Sequence, residues 1–169
     1  AKFVLENRDL EKIIFIPANI SPFKEDKIVS ESIKRFEMLN AAIKEYPQFT
    51  SSDIELKKSG KSFTIYTLNE LHKIYSSIDL IIGYDNFVEF EKWKSPDEII
   101  ELVDVIVLRR NNENLNFENR FTSKVTFLTS PQIEINSTEI RERVKNNLPI
   151  DFLVPKTVKE YIYQNKLYK

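Results

Sequence analysis

Three features of this chain predict an α/β fold built on a mostly parallel sheet with helices on both faces. Short apolar runs of strand length recur at Lys12–Ile16, Asp79–Ile82 and Leu102–Leu108. Between them, apolar residues repeat at helical spacing, as in Ile33, Phe36, Leu39, Ala42 and Ile43. Continuous rather than alternating apolar strands are what a parallel sheet needs, because its crossover helices bury both faces. The 169 residues suit one domain, 1–169, and show no internal repeat, low-complexity stretch or linker.

The elements follow in order. Ala1–Leu5 reads as the apolar end of an element already under way, which predicts that the first strand of the domain is absent. Lys12–Ile16 is a buried strand stopped by Pro17, and Ala18–Lys27 is a polar, proline-interrupted loop. Glu31–Glu45 is an amphipathic helix ended by Pro47. Ser52–Leu56 is a weaker strand, and Gly60 marks a turn. Thr64 caps a helix whose inner face holds Ile65, Leu68, Leu71 and Tyr75. Asp79–Ile82 is a strand ending at Gly83. Ser95-Pro96-Asp97-Glu98 carries a cap residue, a first-position proline and a third-position glutamate, a strong helix start. Leu102–Leu108, Val125–Leu128 and Ile133–Ile135 complete the strands, with Asn111–Lys124 an exposed polar excursion. Ser137 and Pro155 open the last two helices.

Composition narrows the chemistry. Hydrophobic residues at 41% supply a core, and a formal net charge of -1 gives no broad field toward nucleic acid or a membrane surface. No apolar run approaches the roughly 20 residues of a membrane span. The absence of cysteine excludes disulfides and thiolate chemistry and fits a reducing cytoplasm. One histidine, His72, excludes any mechanism needing two, and its spacing from Leu68 and Tyr75 predicts a packing role on a helix flank. No metal-ligand spacing and no nucleophile triad is present. Neither a dinucleotide fingerprint nor a Walker phosphate grip occurs. Whether the chain forms a homo-oligomer is left open.

Ligands of open parallel sheets bind beyond the carboxyl ends of the strands. Candidates there are Pro17–Lys24, Gly83–Asp85, Arg109-Arg110 and the helix start at Asn136–Arg141. At that helix start, unpaired backbone N–H groups, the helix dipole, the hydroxyls of Ser137 and Thr138, and Arg141 one turn inside make an anion site. A capped helix with a solvated arginine fits the same residues. Gly83 lets a ligand approach the backbone, and Asp85 can accept from a ribose hydroxyl or an amine, although a tight turn with a capping aspartate explains both. Trp93, the only tryptophan, lies between Lys92 and Lys94 and can stack on a flat heterocycle or simply cover a core edge. Lys24 can reach a phosphate from its loop, or be solvated. Of Arg109 and Arg110, one should point toward the ligand and the other toward solvent or a carboxylate.

In order and spacing these segments resemble the bacterial nicotinate-nucleotide adenylyltransferases, in the nucleotidyltransferase superfamily with a His-x-Gly-His signature. The likeness runs from Lys12 to Tyr168. Ile14–Asn19 with Pro22-Phe23-Lys24 is similar to the family's strand and Pro-His-Lys loop, and Arg35–Leu39 to its Arg-x-x-Met-Leu helix. Gly60–Thr64 with Thr67-Leu68 is similar to its Gly-x-Ser-Tyr-Thr-x-x-Thr-Leu run. Ile82–Asp85 resembles its Ile-Gly-Ala-Asp turn, and Ser137–Arg141 its Ser-Ser-Thr-x-Ile-Arg motif. Phe23, Phe63, Asn136 and Asn111-Asn112 depart from the family pattern, which places Lys24 and Arg110 on the weakest footing. The family's opening strand and His-x-Gly-His fall upstream of Ala1, so the natural protein is expected to carry them, and the chain without them to be inactive.

The resemblance implies a Rossmann-like three-layer α/β/α domain, the adenine nucleotide alpha hydrolase-like nucleotidyltransferase fold. It implies transfer of the adenylyl group of ATP to nicotinate mononucleotide, giving deamido-NAD and pyrophosphate, a step of NAD biosynthesis. Lys24 and Arg141 would be catalytic. Gly83, Asp85, Ser137, Thr138 and Arg141 would bind ATP. Thr64, Trp93, Lys94 and Arg110 would bind nicotinate mononucleotide. Mg²⁺ would come bound to the ATP phosphates. Two other readings stand beside this one: a non-catalytic nucleotide-binding module of the same fold, and a phosphopantetheine adenylyltransferase.

Overall fold

The computed structural model describes residues 1–20, 31–58, 60–110, 117–131 and 133–169. Helix α1 (Lys2–Asn7) leads to strand β1 (Ile13–Phe15), helix α2 (Ser32–Ile43) and strand β2 (Phe49–Ser51). Helix α3 (Thr64–Leu71) precedes strand β3 (Asp79–Gly83), from which helix α4 (Tyr84–Val88) starts without a gap. A 3₁₀ turn, Phe90–Lys92, leads to helix α5 (Pro96–Leu102), then strands β4 (Asp104–Arg110) and β5 (Thr126–Ser130). Helices α6 (Ser137–Lys145) and α7 (Lys156–Gln164) close the chain.

All strand pairing among the described strands is parallel, in two ladders rather than one continuous sheet: β1 with β2, and β3-β4-β5. Strand β4 shows why a parallel order suits the sequence. Val105, Ile106 and Val107 are consecutive and all buried, so both faces of the strand are covered.

The chain divides into two compact units, Ala1–Lys61 with Ile133–Lys169, and Ser62–Gln132. The core of the first joins Val144, Ile150, Val158, Ile162 and Leu167 to Met38, Ala41 and Ala42 of α2. The core of the second is built on Ile65, Leu68, Phe87, Phe90, Ile99, Val105, Val107 and Phe121. Its aromatic centre is close-packed. Phe90 lies 5.2 Å from both Trp93 and Phe121, and Phe87 lies 5.2 Å from Phe127.

Several local expectations are corrected. The second strand is Phe49–Ser51, not Ser52–Leu56, because the register pairs Ile13, Ile14 and Phe15 with Phe49, Thr50 and Ser51. Ile133–Ile135 forms no strand. Ile133 and Ile135 are 71% and 41% exposed and have no ladder to join. Thr64 is the first helical residue of α3 rather than its cap, and α3 ends before Tyr75. His72 follows α3 as an exposed C-cap, not a packed flank. Ser95 does precede α5 with Pro96 at the first turn, but it makes no side-chain cap bond and sits at φ 51. The polar excursion is not wholly exposed: Phe121 within it is fully buried.

Candidate active site

The second unit brings together the residues expected to hold a flat heterocycle. Trp93 ends the Phe90–Lys92 turn, its amide donating to the Phe90 carbonyl at 3.0 Å. Its ring packs on Phe90, and its Nε1 is buried with no acceptor among the described residues. The indole donor is therefore turned away from solvent. What this side chain can offer a ligand is ring carbon, which suits stacking rather than hydrogen bonding. Phe63, at the cap position of α3, packs against the same core as Trp93, and half-buried Thr64 follows it.

Lys94 links these segments. Its Nζ lies 4.8 Å from the centroid of Phe63 and 4.6 Å from that of Tyr66. The two rings meet edge to face at 6.0 Å. Attraction of an ammonium to two ring faces holds the chain after Trp93 against the start of α3. This role was not foreseen. The meeting of Phe63 and Tyr66 with Lys94 is a long-range contact, which no local spacing contains.

Gly83 ends β3 and caps α4. Its φ is -78, open to any residue, so conformation does not demand glycine here. Space is the remaining distinction: a Cβ at Gly83 would meet nothing within 4 Å. The backbone at this strand end is bare and exposed, as close approach by a ligand requires. Gly60 is the contrasting case, at φ +88, where a left-handed turn does favour glycine. Asp85 lies in the first turn of α4, exposed. Its carboxylate thus remains open to a ligand hydroxyl or amine.

The two arginines at the end of β4 part company. Arg109 donates through Nε to the Thr129 hydroxyl at 2.8 Å, bracing β4 on β5 rather than meeting a carboxylate. Arg110 is exposed at the strand end, opposite Ser130.

The first unit holds the anion-binding candidate. The cap of α6 is Asn136, whose Oδ1 accepts from the Glu139 amide at 2.8 Å. An asparagine thus performs the capping that the expected serine would. Ser137 and Thr138, both exposed, occupy the first two helical positions, where amide hydrogens have no helical acceptor. Arg141, half-buried one turn inside, donates through Nη2 to the Thr138 hydroxyl at 3.0 Å. Two amides, two hydroxyls and a guanidinium therefore gather at one helix start. Lys24 lies outside the described residues. The loop leading toward it is fixed by Arg35, whose Nη2 donates to the carbonyls of Ala18 and Asn19 at 2.6 and 3.1 Å. Arg35 matched a motif without acquiring a role; its target is a backbone segment, which leaves no mark in sequence.

Comparison with known proteins follows from this arrangement. A family model described as cytidylyltransferase-like matches residues 1–143. A probable nicotinate-nucleotide adenylyltransferase of Methylacidiphilum infernorum is 40% identical over 166 residues, covering 97% of this chain and 80% of the relative. The chain belongs to the nicotinate-nucleotide adenylyltransferase family. A second family member, from Dictyoglomus thermophilum, is 38% identical over 175 residues, covering 99% of this chain and 89% of its own length. Among solved structures, the nicotinic acid mononucleotide adenylyltransferase of Plasmodium falciparum complexed with NaAD superposes with a TM-score of 0.73 at 18% identity, covering 99% of this chain and 89% of that one. At that identity the likeness is one of fold. It agrees with the parallel α/β nucleotidyltransferase architecture expected of the adenylyltransferase family.

Proposed function

We propose that this protein transfers the adenylyl group of ATP to nicotinate mononucleotide, as a cytoplasmic step of NAD biosynthesis, and that residues 1–169 act as one nucleotidyltransferase domain. Support for the single domain comes from the family match, which runs through both compact units. The observation that carries the reaction is the helix start at Asn136–Arg141, together with family membership at 40% identity.

In the reaction, a phosphate oxygen of nicotinate mononucleotide attacks the α-phosphorus of ATP. A new P–O bond forms, the bond from the α-phosphorus to the bridging oxygen breaks, and pyrophosphate leaves with that electron pair. No enzyme nucleophile is needed, so the protein contributes alignment and neutralisation of charge. Ser137 and Thr138 donate to the ATP phosphates, and Arg141 supplies the positive charge as pyrophosphate departs. Lys24 is assigned to the same charge. Gly83 admits the adenosine part against the backbone, and Asp85 accepts from it. Trp93 stacks on the pyridine ring, with Thr64 and the backbone of Lys94 beside it, and Arg110 serves the mononucleotide phosphate.

Among the described residues no group of three or more acidic or histidine side chains could hold a metal ion. The Mg²⁺ assigned to this reaction is one carried by the ATP phosphates, where it would add charge neutralisation.

The test is a pyrophosphate-release assay on the full-length gene product with ATP and nicotinate mononucleotide, the dinucleotide identified by mass. Deamido-NAD is expected, and Arg141→Ala should lower kcat roughly a hundredfold. ATP binding without any turnover would instead establish a nucleotide-binding module.

A further inference from the structure

The backbone just after Trp93 is strained. Ser95 sits at φ 51, in the left-handed region, although it is not glycine and makes no side-chain cap bond. Such a conformation persists only where the surrounding structure holds the chain around it. Arg120, in the segment ahead of β5, does so from both sides. Its Nη1 and Nη2 donate to the two carboxylate oxygens of Asp97, in the first turn of α5, at 2.7 and 2.8 Å. Its amide donates to Oε1 of Glu91, in the Phe90–Lys92 turn, at 3.4 Å, and its Nε lies 3.8 Å from the same oxygen. Glu91 precedes Trp93 and Asp97 follows it, so one arginine ties together the two ends of the stretch that carries the indole.

The next residue anchors the same arginine to the core. Phe121 is fully buried and meets Phe90 edge to face at 5.2 Å, and Phe90 in turn lies 5.2 Å from Trp93. The Arg120 guanidinium carbon lies 4.4 Å from the centroid of the Phe121 ring. The guanidinium is thus committed on its edge to carboxylates and on its face to an aromatic ring. It has little left to offer a ligand, and its influence runs through the segment it holds.

We infer that Arg120 is a positioning residue for the mononucleotide, which acts by clamping Glu91 and Asp97 on either side of Trp93 and so fixing the plane of the indole. The inference rests on the reading that Trp93 stacks on the pyridine ring, and adds to it the group that orients the stacking surface. Stacking depends on how the ring is presented. With the clamp open, the stretch between Glu91 and Asp97 samples other conformations, and apparent affinity falls by the fraction of time the indole is misplaced. Only a planar fork meets both oxygens of Asp97 at once, so lysine is a partial substitute. The clamp is exposed to water, so its effect is modest, about threefold, within the range of an exposed ion pair.

The experiment measures steady-state kinetics of the full-length gene product, wild type and carrying Arg120→Gln, Arg120→Lys, Asp97→Asn or the pair Arg120→Gln with Asp97→Asn. Arg120→Gln should raise the KM for nicotinate mononucleotide about threefold, with kcat and the KM for ATP unchanged. Arg120→Lys should recover part of the loss. Asp97→Asn keeps the side-chain shape and should raise the same KM, and combining it with Arg120→Gln should add nothing further. Acrylamide quenching of the ligand-free protein, in which residues 1–169 hold one tryptophan, should show Trp93 more open in Arg120→Gln. An unchanged mononucleotide KM in a folded Arg120 or Asp97 variant, or a rise shared equally with ATP, overturns the inference and leaves the arginine a purely structural role. If the wild-type protein forms no deamido-NAD, or Trp93→Ala leaves the mononucleotide KM unaltered, the functional reading itself fails and the inference falls with it.

Discussion

Trp93 keeps its indole nitrogen inside the second unit and leaves ring carbon as its contribution to any ligand. A stacking partner of that kind acts on the pyridine ring and has no means of sensing a triphosphate. Calorimetric titration of Trp93→Ala should therefore show nicotinate mononucleotide bound roughly tenfold more weakly, with ATP affinity unchanged. Unaltered mononucleotide affinity would remove Trp93 from the site. The residue was legible as a candidate because it is unique and sits between two lysines. That those lysines differ, one paired with Glu89 and the other resting on two rings, was not legible, since both partners arrive through folding.

At the scale of elements, α6 concentrates the phosphate chemistry, and its geometry depends on Asn136. The side chain takes the Glu139 amide and so sets where the helix begins, which leaves the Ser137 and Thr138 amides as first-turn donors. Asn136→Ala should lower unfolding free energy by about 1 kcal/mol in a urea titration, whereas Asn136→Ser should recover most of it. Equal stability of all three proteins would show that the cap is not needed for this helix start. The starts of α2, α3, α5, α6 and α7 were legible to within a residue, because proline and capping side chains act locally, whereas the short α1 and α4 were not read as helices. Strands fared differently. Lys12–Ile16 and Asp79–Ile82 contain the observed strands apart from Gly83 at the end of β3, yet the strand sought at Ser52–Leu56 lies at Phe49–Ser51, and Ile133–Ile135 forms none. A strand exists only through its partner's register, which a local pattern does not contain.

For the molecule as a whole, the contact between Tyr161 of α7 and Glu37 of α2 joins residues far apart in the chain. Loss of solvent around the phenol, and next the Glu37 carboxylate that accepts its hydrogen bond, push the Tyr161 pKa up from 10.0 to about 12. The folded state therefore favours the protonated phenol more than the unfolded state does. The stabilisation is complete below the unfolded pKa of 10.0, and it is lost as pH rises toward about 12. Denaturation followed between those values should show stability falling with pH, with a shallower fall in Tyr161→Phe. Identical slopes would place the phenol outside the linkage.

Composition and apolar spacing were enough to indicate a parallel α/β fold and the positions of most helices, because these depend on local periodicity and on side chains that cap, turn or stop the backbone next to them, while the adenylyltransferase family came from the resemblance of the ordered motifs. Tertiary structure alone decided the pairing of strands into two ladders, the burial of Phe121, the commitment of Arg109 to Thr129 and the settling of Lys94 on Phe63 and Tyr66. Each of those is a contact between residues distant in sequence. Its free energy depends on which partner arrives and on how much water leaves, and neither quantity is written in the spacing of the residues themselves.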